Sequence, residues 1–231
     1  MRYSHLANLC HAYNLGLIEY ENALRLQRNL AEARLKGEVP DVILLLEHPP
    51  VLTIGTSGGE SDILASTETL SQENMSVVPT DRGGGITYHG PGQLVCYPIF
   101  DLRNKGKDIH QYVRNLEEVI IRTLASLSVA ACRIPGYPGI WVGNEKVCAV
   151  GIQVTKWVTR HGFALNVNNN LKHFSYIRAC GIPDKGVISI SHLVGHKLQI
   201  EAILPSLLKS FSQVFNLTIE EKSLSQLAKY Q

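Results

Sequence analysis

Residues 81–97 read DRGGGITYHGPGQLVCY and place five glycines in one short run. Glycine is used where the backbone takes a positive φ or where a ligand must approach the backbone closely, and ordering it costs conformational entropy. Polar side chains stand between these glycines: Arg82, Thr87, Tyr88, His89 and Gln93. They add a fixed charge, hydroxyls, an imidazole and an amide to the bare backbone. The run therefore predicts a binding surface, and a tight turn between two strands is the simpler alternative.

The composition predicts one globular domain over residues 1–231, because 45% of the residues are apolar and 18% are charged. The longest apolar runs are far too short to span a bilayer. A formal net charge of +2, without a Lys/Arg block, gives no reason to expect nucleic acid as a partner. The five cysteines form no C-x-x-C pair, which favours a reducing compartment over a disulfide framework. We expect a cytoplasmic protein, and a monomer.

Hydrophobic spacing predicts helices over about residues 12–36, 109–124 and 200–215. It predicts strands over residues 42–46, 51–54, 77–78, 94–99 and 163–167, and a hairpin made of residues 140–142 and 146–150. Pro49 and Pro50 join the first two strands, and residues 168–186 are expected to be irregular. Helices at both ends and in the middle, with strands clustered between them, favour an α+β fold with a mixed or antiparallel sheet flanked by helices.

Two residues are candidates for covalent chemistry. Cys180 stands before Gly181 in the expected irregular region, a context less typical of a core residue, and a thiolate there could act as a nucleophile. Lys146 follows the hairpin turn on an otherwise apolar strand, so its ammonium could share a proton with a thiol or an amine. An inert buried cysteine and a solvated turn lysine are the respective alternatives.

Other patterns are weaker. Ser57 fits G-x-S-x-G, but that motif needs a helix directly after the serine, and the following residues are typical of a loop. His192 and His196 have the i, i+4 spacing of metal ligands without an accompanying carboxylate, and Gly195 argues against a helix there. We expect no metal site. His89 could act as a base or polarise a carbonyl, or it could only hydrogen-bond to the backbone.

Five stretches, in order along the chain, resemble the lipoyl(octanoyl) transferases. They read EHPPVLTIG (residues 47–55), RGGGITYHGPGQ (82–93), GNEKVCAVG (143–151), HGFALNV (161–167) and ACGI (179–182). Several motifs in the same order are far more specific than any one of them, and the resemblance covers roughly residues 12–215. No departure from the family pattern is visible at the matched catalytic positions.

The resemblance implies an α+β fold similar to the catalytic domain of biotin and lipoate protein ligases. It implies transfer of an octanoyl group from octanoyl-acyl carrier protein to a lysine of an apo lipoyl domain, as found in 2-oxoacid dehydrogenase E2 subunits and in the glycine cleavage H protein. Cys180 would be the nucleophile and Lys146 its proton-transfer partner. No cofactor is implied, because a thioester is already an activated acyl donor and its transfer to an amine needs no ATP.

The family also implies which residues line the acyl site. They are Arg82, Gly83, Gly84, Gly85, Ile86, Thr87, Tyr88 and His89 from the glycine run, and Ala149, Val150, Gly151, Gly162, Phe163 and Ala164 from the two later strands. Two other functions compete with this one. An ATP-dependent lipoate or biotin ligase on the same scaffold would need no cysteine, and a non-catalytic lipoyl-domain binding module would need neither Cys180 nor Lys146.

Overall fold

The computed structural model describes residues 8–178 and 185–230. Cys180, the predicted nucleophile, lies outside the described residues. The helices within those ranges are α1 (Tyr20–Lys36), α2 (Thr67–Gln72), α3 (Ile109–Ala125), α4 (Ile190–Val194) and α5 (Leu204–Phe215). The strands are β1 (Leu9–Leu17), β2 (Asp41–Glu47), β3 (Val51–Ile54), β4 (Ser76–Pro79), β5 (Ile86–His89), β6 (Gln93–Ile99), β7 (Cys132–Ile134), β8 (Tyr137–Val142), β9 (Glu145–Thr155), β10 (Val158–Asn166), β11 (Gly186–Val187) and β12 (Thr218–Glu221).

The larger sheet has the strand order β12-β1-β2-β6-β10-β9-β8-β7, and β11 adds to the start of β9 on the edge opposite β8. β1 runs parallel to both β12 and β2, and β11 runs parallel to β9. The remaining pairs, from β2 through β6, β10, β9 and β8 to β7, are antiparallel. A smaller sheet contains β4-β3-β5, in which β3 pairs in parallel with β4 and antiparallel with β5. The predicted mixed sheet with flanking helices is confirmed.

Helices cover both faces of the larger sheet. Ile43 and Leu45 of β2 belong to the hydrophobic core on the side of α3 and α5. Val42, Leu44 and Leu46, on the alternate positions of the same strand, belong to a second core on the side of α1. Successive side chains of a strand point to opposite faces, so a strand buried on both sides reads as a continuous apolar run. This explains the uninterrupted apolar residues of β2.

The prediction of a helix over residues 12–36 is wrong in its first part. Residues 9–17 form β1, and α1 begins only at Tyr20. Ala12 and Tyr13 are buried in the sheet, whereas Leu17, which fitted the helical spacing, is 60% exposed. β1 is held between β2 and the distant β12, so long-range pairing overrides the local periodicity. The predicted end of α1 is confirmed, because Gly37 caps it in the left-handed conformation.

Pro49 and Pro50 connect strands that belong to different sheets, since β2 lies in the larger sheet and β3 in the smaller one. The smaller sheet holds the glycine run beside β9, because the Gly83 N–H donates to the Ile152 carbonyl of β9 (2.9 Å). This connection forms the wall of the cavity described below. None of the helices in the two described ranges has the length and apolar content needed to cross a membrane.

Candidate active site

A cavity of about 750 Å³ is lined by both sheets, on one side by the glycine run and on the other by the β9–β10 hairpin. Lys146 and most of the residues expected at the acyl site lie on its wall. The latter are Arg82, Gly83, Gly84, Gly85, Ile86, Thr87, His89, Ala149, Val150, Gly151, Gly162, Phe163 and Ala164. Arg82 and Lys146, which are 64 residues apart in the chain (146 − 82), thus line the same cavity.

Tyr88 is the exception among the expected site residues, and it does not line this cavity. It is 1% exposed and packs in a separate core with Leu52, Met75 and Phe174. Its hydroxyl pairs with the Nδ1 atom of His173 at 2.8 Å. Side chains alternate along β5, so Tyr88 points away from Thr87 and His89, which line the cavity, and packs into the separate core.

The glycines allow two loops to pack backbone against backbone. The Gly55 N–H donates to the Gly85 carbonyl (3.1 Å), and the Ser57 N–H donates to the Gly84 carbonyl (3.2 Å). A Cβ on Gly55 would collide with the Gly84 carbonyl oxygen, and that oxygen belongs to backbone that cannot rotate away. Gly55 is therefore required by close packing of the loop.

Arg82 is buried and directs its guanidinium to β3. Its Nε donates to the Thr53 hydroxyl (3.1 Å) and its Nη2 to the Thr53 carbonyl (2.6 Å). These hydrogen bonds hold the start of the glycine run against β3.

The N–H groups of Gly84 and Gly85 donate no hydrogen bond within the described part of the chain, and both residues line the cavity. Their N–H groups are therefore candidate donors to a carbonyl oxygen bound in the cavity.

Lys146 lies across the cavity from the glycine run, and its ammonium group is positioned over an aromatic ring. Its Nζ is 4.8 Å from the ring centroid of Trp141, and the Nζ of Lys185 is 5.1 Å from the same ring. Neither ammonium forms an ion pair with a carboxylate of the described residues. Two ammonium groups thus lie near one ring at this end of the cavity, where they would stabilise an anion such as a thiolate.

The described residues on either side of residues 179–184 lie at the cavity. Arg178 lines it, and its N–H donates to the Asp62 carbonyl at 2.7 Å. Val187 also lines it, and in β11 it is the pairing partner of Lys146. Arg178 and Lys185, the described residues nearest to Cys180 on either side, therefore line the same cavity as Lys146.

A buried histidine, His48, lies behind the cavity wall and is neutral. Its Nδ1 is 2.7 Å from the Ile18 carbonyl, which can only accept, so Nδ1 carries the proton. Its Nε2 then accepts from the hydroxyl of Tyr97 at 2.8 Å. Burial lowers the pKa of His48 to about 4, against the opposing effect of the Ile18 carbonyl.

His89 is held by the glutamine four residues later. The Nδ1–H of His89 donates to Gln93 Oε1 (2.8 Å), and Gln93 Nε2 donates to Asn166 Oδ1 on β10 (3.0 Å). Burial, with smaller contributions from His48 and Arg82, holds the pKa of His89 well below its usual range. His89 is therefore neutral at pH 7, and its fixed ring makes it part of the wall.

His161 on β10 is paired with Asp81, the first residue of the glycine run. The Nε2 of His161 is 2.8 Å from Asp81 Oδ1, and Arg160 Nη2 donates to Asp81 Oδ2 at 2.6 Å. Burial raises the pKa of Asp81, but the hydrogen bonds from His161 and Arg160 outweigh it and bring the pKa down to about 2. Burial lowers the pKa of His161 to about 4 despite the nearby carboxylate. The pair is a neutral imidazole and an ionised carboxylate.

The small residues of the hairpin have different roles. Ala149 and Ala164 are directly paired across β9 and β10, and both line the cavity. A Cβ on Gly162 would instead meet the Cys96 carbonyl of β6, so Gly162 permits close strand packing there. The small side chains of Ala149 and Ala164 thus leave room in the cavity, whereas Gly162 serves the packing of β10 on β6.

Two weaker candidates can be placed. Ser57 lines the cavity, but a three-residue 3₁₀ turn, Glu60–Asp62, follows it in place of the helix that a nucleophilic serine needs. His192 lies on α4 and His196 lies beyond Gly195, which ends that helix in the left-handed conformation. The two imidazoles are therefore not one turn apart on a helix.

Several cavity residues were not singled out from the sequence: Tyr20, Tyr97, Trp141, His161, Arg178 and Lys185. Tyr20 and Trp141 read as core residues, and nothing local distinguishes them. His161 offered a signal, because it is a histidine followed by glycine directly before the apolar residues 163–165. Its role depends on Asp81, which is 80 residues away in the chain.

Comparison with known proteins identifies the family. The family model of the lipoyl protein ligase A/B catalytic domain matches residues 19–212. The chain is 49% identical over 210 residues to an octanoyltransferase of Caldicellulosiruptor saccharolyticus, covering 90% of this chain and 88% of that protein. It is 42% identical to an octanoyltransferase of Desulforamulus reducens, covering 92% and 95% respectively.

The fold is similar to that of a solved structure. A putative lipoate protein ligase from T. acidophilum with bound lipoic acid superimposes with a TM-score of 0.75 at 16% identity, over 96% of this chain and 93% of that one. At this identity the likeness shows a shared fold.

Proposed function

Because the chain belongs to the octanoyltransferases with a lipoyl protein ligase A/B catalytic domain, we propose that it moves an octanoyl group from acyl carrier protein to a lysine of a lipoyl domain. It is an acyltransferase. The observation that carries the proposal is that Lys146 lines one cavity with Arg178 and Lys185, the described residues nearest to Cys180 on either side.

In the first step the Cys180 thiolate attacks the carbonyl carbon of the donor thioester. The new bond is a thioester to Cys180, the bond to the carrier sulfur breaks, and the carrier leaves as a thiol after taking a proton. The ammonium groups of Lys146 and Lys185 favour the thiolate electrostatically. Gly84 and Gly85 present N–H groups to the carbonyl oxygen as negative charge develops on it.

In the second step the amine of the acceptor lysine attacks the Cys180 thioester. An amide forms, the cysteine sulfur leaves, and the proton from the amine must be removed. An unperturbed lysine has a pKa near 10.4, so at neutral pH the incoming amine first has to lose a proton. Lys146 is the proton-transfer group that we assign to both steps, because it lines the cavity beside β11.

The acceptors in this proposal are apo lipoyl domains of E2 subunits and of the glycine cleavage H protein. We place the whole activity in one catalytic domain over residues 1–231, working as a monomer in the cytoplasm without a cofactor. The family membership supports the octanoyl group, and the apolar walls of the cavity are consistent with an acyl chain.

The test is intact-mass spectrometry of the full chain after incubation with octanoyl-acyl carrier protein in the absence of ATP. We expect one octanoyl adduct that hydroxylamine removes and that passes to an added apo lipoyl domain. Cys180→Ala should form none, whereas Cys132→Ala, which changes an exposed cysteine on β7, should behave as wild type. Lys146→Met should acylate at least about a hundredfold more slowly, the range for loss of an acid–base group.

Two results would count against the proposal. If the wild type formed no adduct, Cys180 would not carry the acyl group. If it transferred octanoate only when ATP was added, the chain would be a ligase of the adenylate-forming kind. If Lys146→Met acylated at the wild-type rate, Lys146 would have no part in the first step.

A further inference from the structure

One acidic residue, Asp62, lines the cavity within the described part of the chain. The lysines and arginines on the same wall are Arg82, Lys146, Arg178 and Lys185. The Asp62 side chain is half-buried, and its Oδ2 accepts a hydrogen bond from the Gly59 N–H (3.0 Å). No cationic side chain of the described residues forms an ion pair with it. A cation that enters the cavity therefore meets no such competitor for this carboxylate.

The loop that carries Asp62 packs against the two candidate donors to the acyl carbonyl. In this loop the Ser57 N–H donates to the Gly84 carbonyl (3.2 Å). One residue later, a Cβ on Gly58 would lie 2.9 Å from the carbonyl carbon of Gly85, so the two backbones are in close contact. Asp62 thus belongs to a loop that contacts both Gly84 and Gly85.

Asp62 is also tied by its backbone to the segment that precedes Cys180. The Asp62 carbonyl accepts a hydrogen bond from the Arg178 N–H (2.7 Å), and the adjacent residues Ile63 and Ile177 form an antiparallel bridge. Arg178 stands two positions before Cys180 in the sequence. Backbone hydrogen bonds therefore fix Asp62 relative to the last described residue before the proposed nucleophile.

The acceptor lysine is a cation when it reaches the enzyme, because its unperturbed pKa is near 10.4. The positive charges of Lys146, Arg178 and Lys185 on the cavity wall would repel it. The neutral thioester offers no compensating charge. A carboxylate on the same wall offsets this repulsion, and it accepts charge-assisted hydrogen bonds from an ammonium group.

We propose that Asp62 binds the ammonium group of the acceptor lysine and so selects a cationic side chain for the second step. The bond-forming chemistry is the one given above: the amine loses a proton through Lys146 and then attacks the thioester. Asp62 stabilises the bound cation rather than the neutral amine that attacks, so it lowers the KM of the acceptor without raising kcat. This inference deepens the proposed function and rests on Cys180 carrying the acyl group.

The test isolates the second step. The full-length protein is acylated with octanoyl-acyl carrier protein, separated from the carrier by gel filtration and mixed with increasing concentrations of apo lipoyl domain. Loss of the adduct is followed by mass spectrometry at pH 7. Asp62→Asn removes the charge but keeps an oxygen that can accept from the Gly59 N–H. We expect this variant to need an about tenfold or greater concentration of lipoyl domain for half-saturation, with an unchanged maximal rate, the range for losing a hydrogen bond to a charged group.

Two controls separate charge recognition from a change in the fold. Glu60→Gln removes an exposed carboxylate from the same short turn, and Glu60 does not line the cavity, so this variant should behave as wild type. Hydroxylamine is an uncharged nucleophile at pH 7 and should remove the octanoyl group from wild type and from Asp62→Asn at the same rate. Added salt should reduce the difference between the two proteins toward the lipoyl domain, because it screens the lost charge.

Equal half-saturating concentrations for wild type and Asp62→Asn would refute the inference, and so would a reaction with hydroxylamine that slows by the same factor. If Asp62→Asn captured octanoate more slowly than wild type, Asp62 would serve the first step or the fold, and the assignment would again be wrong. Failure of the proposed function is distinguishable from these results, because the wild type itself would then form no adduct, and the inference would fall with it.

Discussion

Tyr97 and Tyr112 are both buried tyrosines, but their hydroxyl groups have different partners. Tyr97 donates to Nε2 of His48 at 2.8 Å, and this nitrogen has no other partner in the described structure. The Tyr112 hydroxyl is 3.4 Å from Thr159 Oγ1, which also donates to the Pro98 carbonyl at 2.8 Å. Loss of the first hydroxyl leaves a buried acceptor unpaired, whereas loss of the second does not.

Tyr97→Phe should therefore lower the free energy of unfolding by about 1–3 kcal/mol, the usual effect of leaving a buried polar group unpaired. Tyr112→Phe should lower it by less than about 1 kcal/mol, because Thr159 keeps other partners. Urea unfolding of the two variants at pH 7 measures the difference. Equal losses would mean that His48 finds another donor, such as water, when Tyr97 is changed.

At the scale of an element, the glycine run and the loop after β3 depend on each other. Gly55→Ala places a Cβ against the Gly84 carbonyl, so the two loops must separate, and overpacking of this kind costs about 1–3 kcal/mol. At Gly59 the nearest atom to a new Cβ would be Ser61 Oγ at 3.6 Å, an ordinary contact. Gly59→Ala should change stability by no more than about 0.5 kcal/mol.

Thermal or urea unfolding of the two alanine variants provides the measurement, and octanoyl capture provides a second readout. We expect Gly55→Ala to lose both stability and capture, because the displaced loop forms the cavity wall. If Gly55→Ala were as stable as Gly59→Ala, close packing of the two loops would not require glycine at position 55.

Elements with a local signal could be predicted from the sequence. The periodic residues from Ile109 to Leu124 gave α3 within one residue of its end, and Val51–Ile54 was placed as β3. β1 could not be predicted in this way, because it is stabilised by β2 and β12. Its apolar residues also fit a helix, and only the distant partners decide between the two.

At the scale of the whole molecule, the site combines residues from position 20 to position 187. Family resemblance in the motifs predicts most of the residues that line the cavity. It could not show that Asp81 orients His161 or that Lys185 and Lys146 contact the same Trp141 ring. Those contacts depend on sheet register and on the packing of one sheet against the other.

The buried histidines also link the stability of the whole protein to pH. Burial lowers the pKa of His48 and of His161 to about 4, and it holds the pKa of His89 well below its usual range. In the unfolded chain each pKa is near 6.5. Between about pH 6.5 and pH 4 the unfolded chain therefore binds protons that the native state does not bind, and the free energy of unfolding falls as the pH is lowered.

We expect each of these histidines to lower stability by about 2 kcal/mol between pH 7 and pH 5, from about 1.4 kcal/mol per pH unit below its unfolded pKa. The depressed pKa of Asp81, about 2, affects stability only below this range, because its contribution is lost between about pH 4 and pH 2.

His48→Gln has no group to protonate at this position. As the pH falls, the free energy of unfolding of this variant should therefore decline less steeply than that of the wild type, by the contribution of one bound proton. This difference in slope does not depend on the stability of the variant at pH 7. Urea unfolding at pH 7.0, 6.0 and 5.0 measures both slopes, and identical slopes would show that His48 is protonated in the native state.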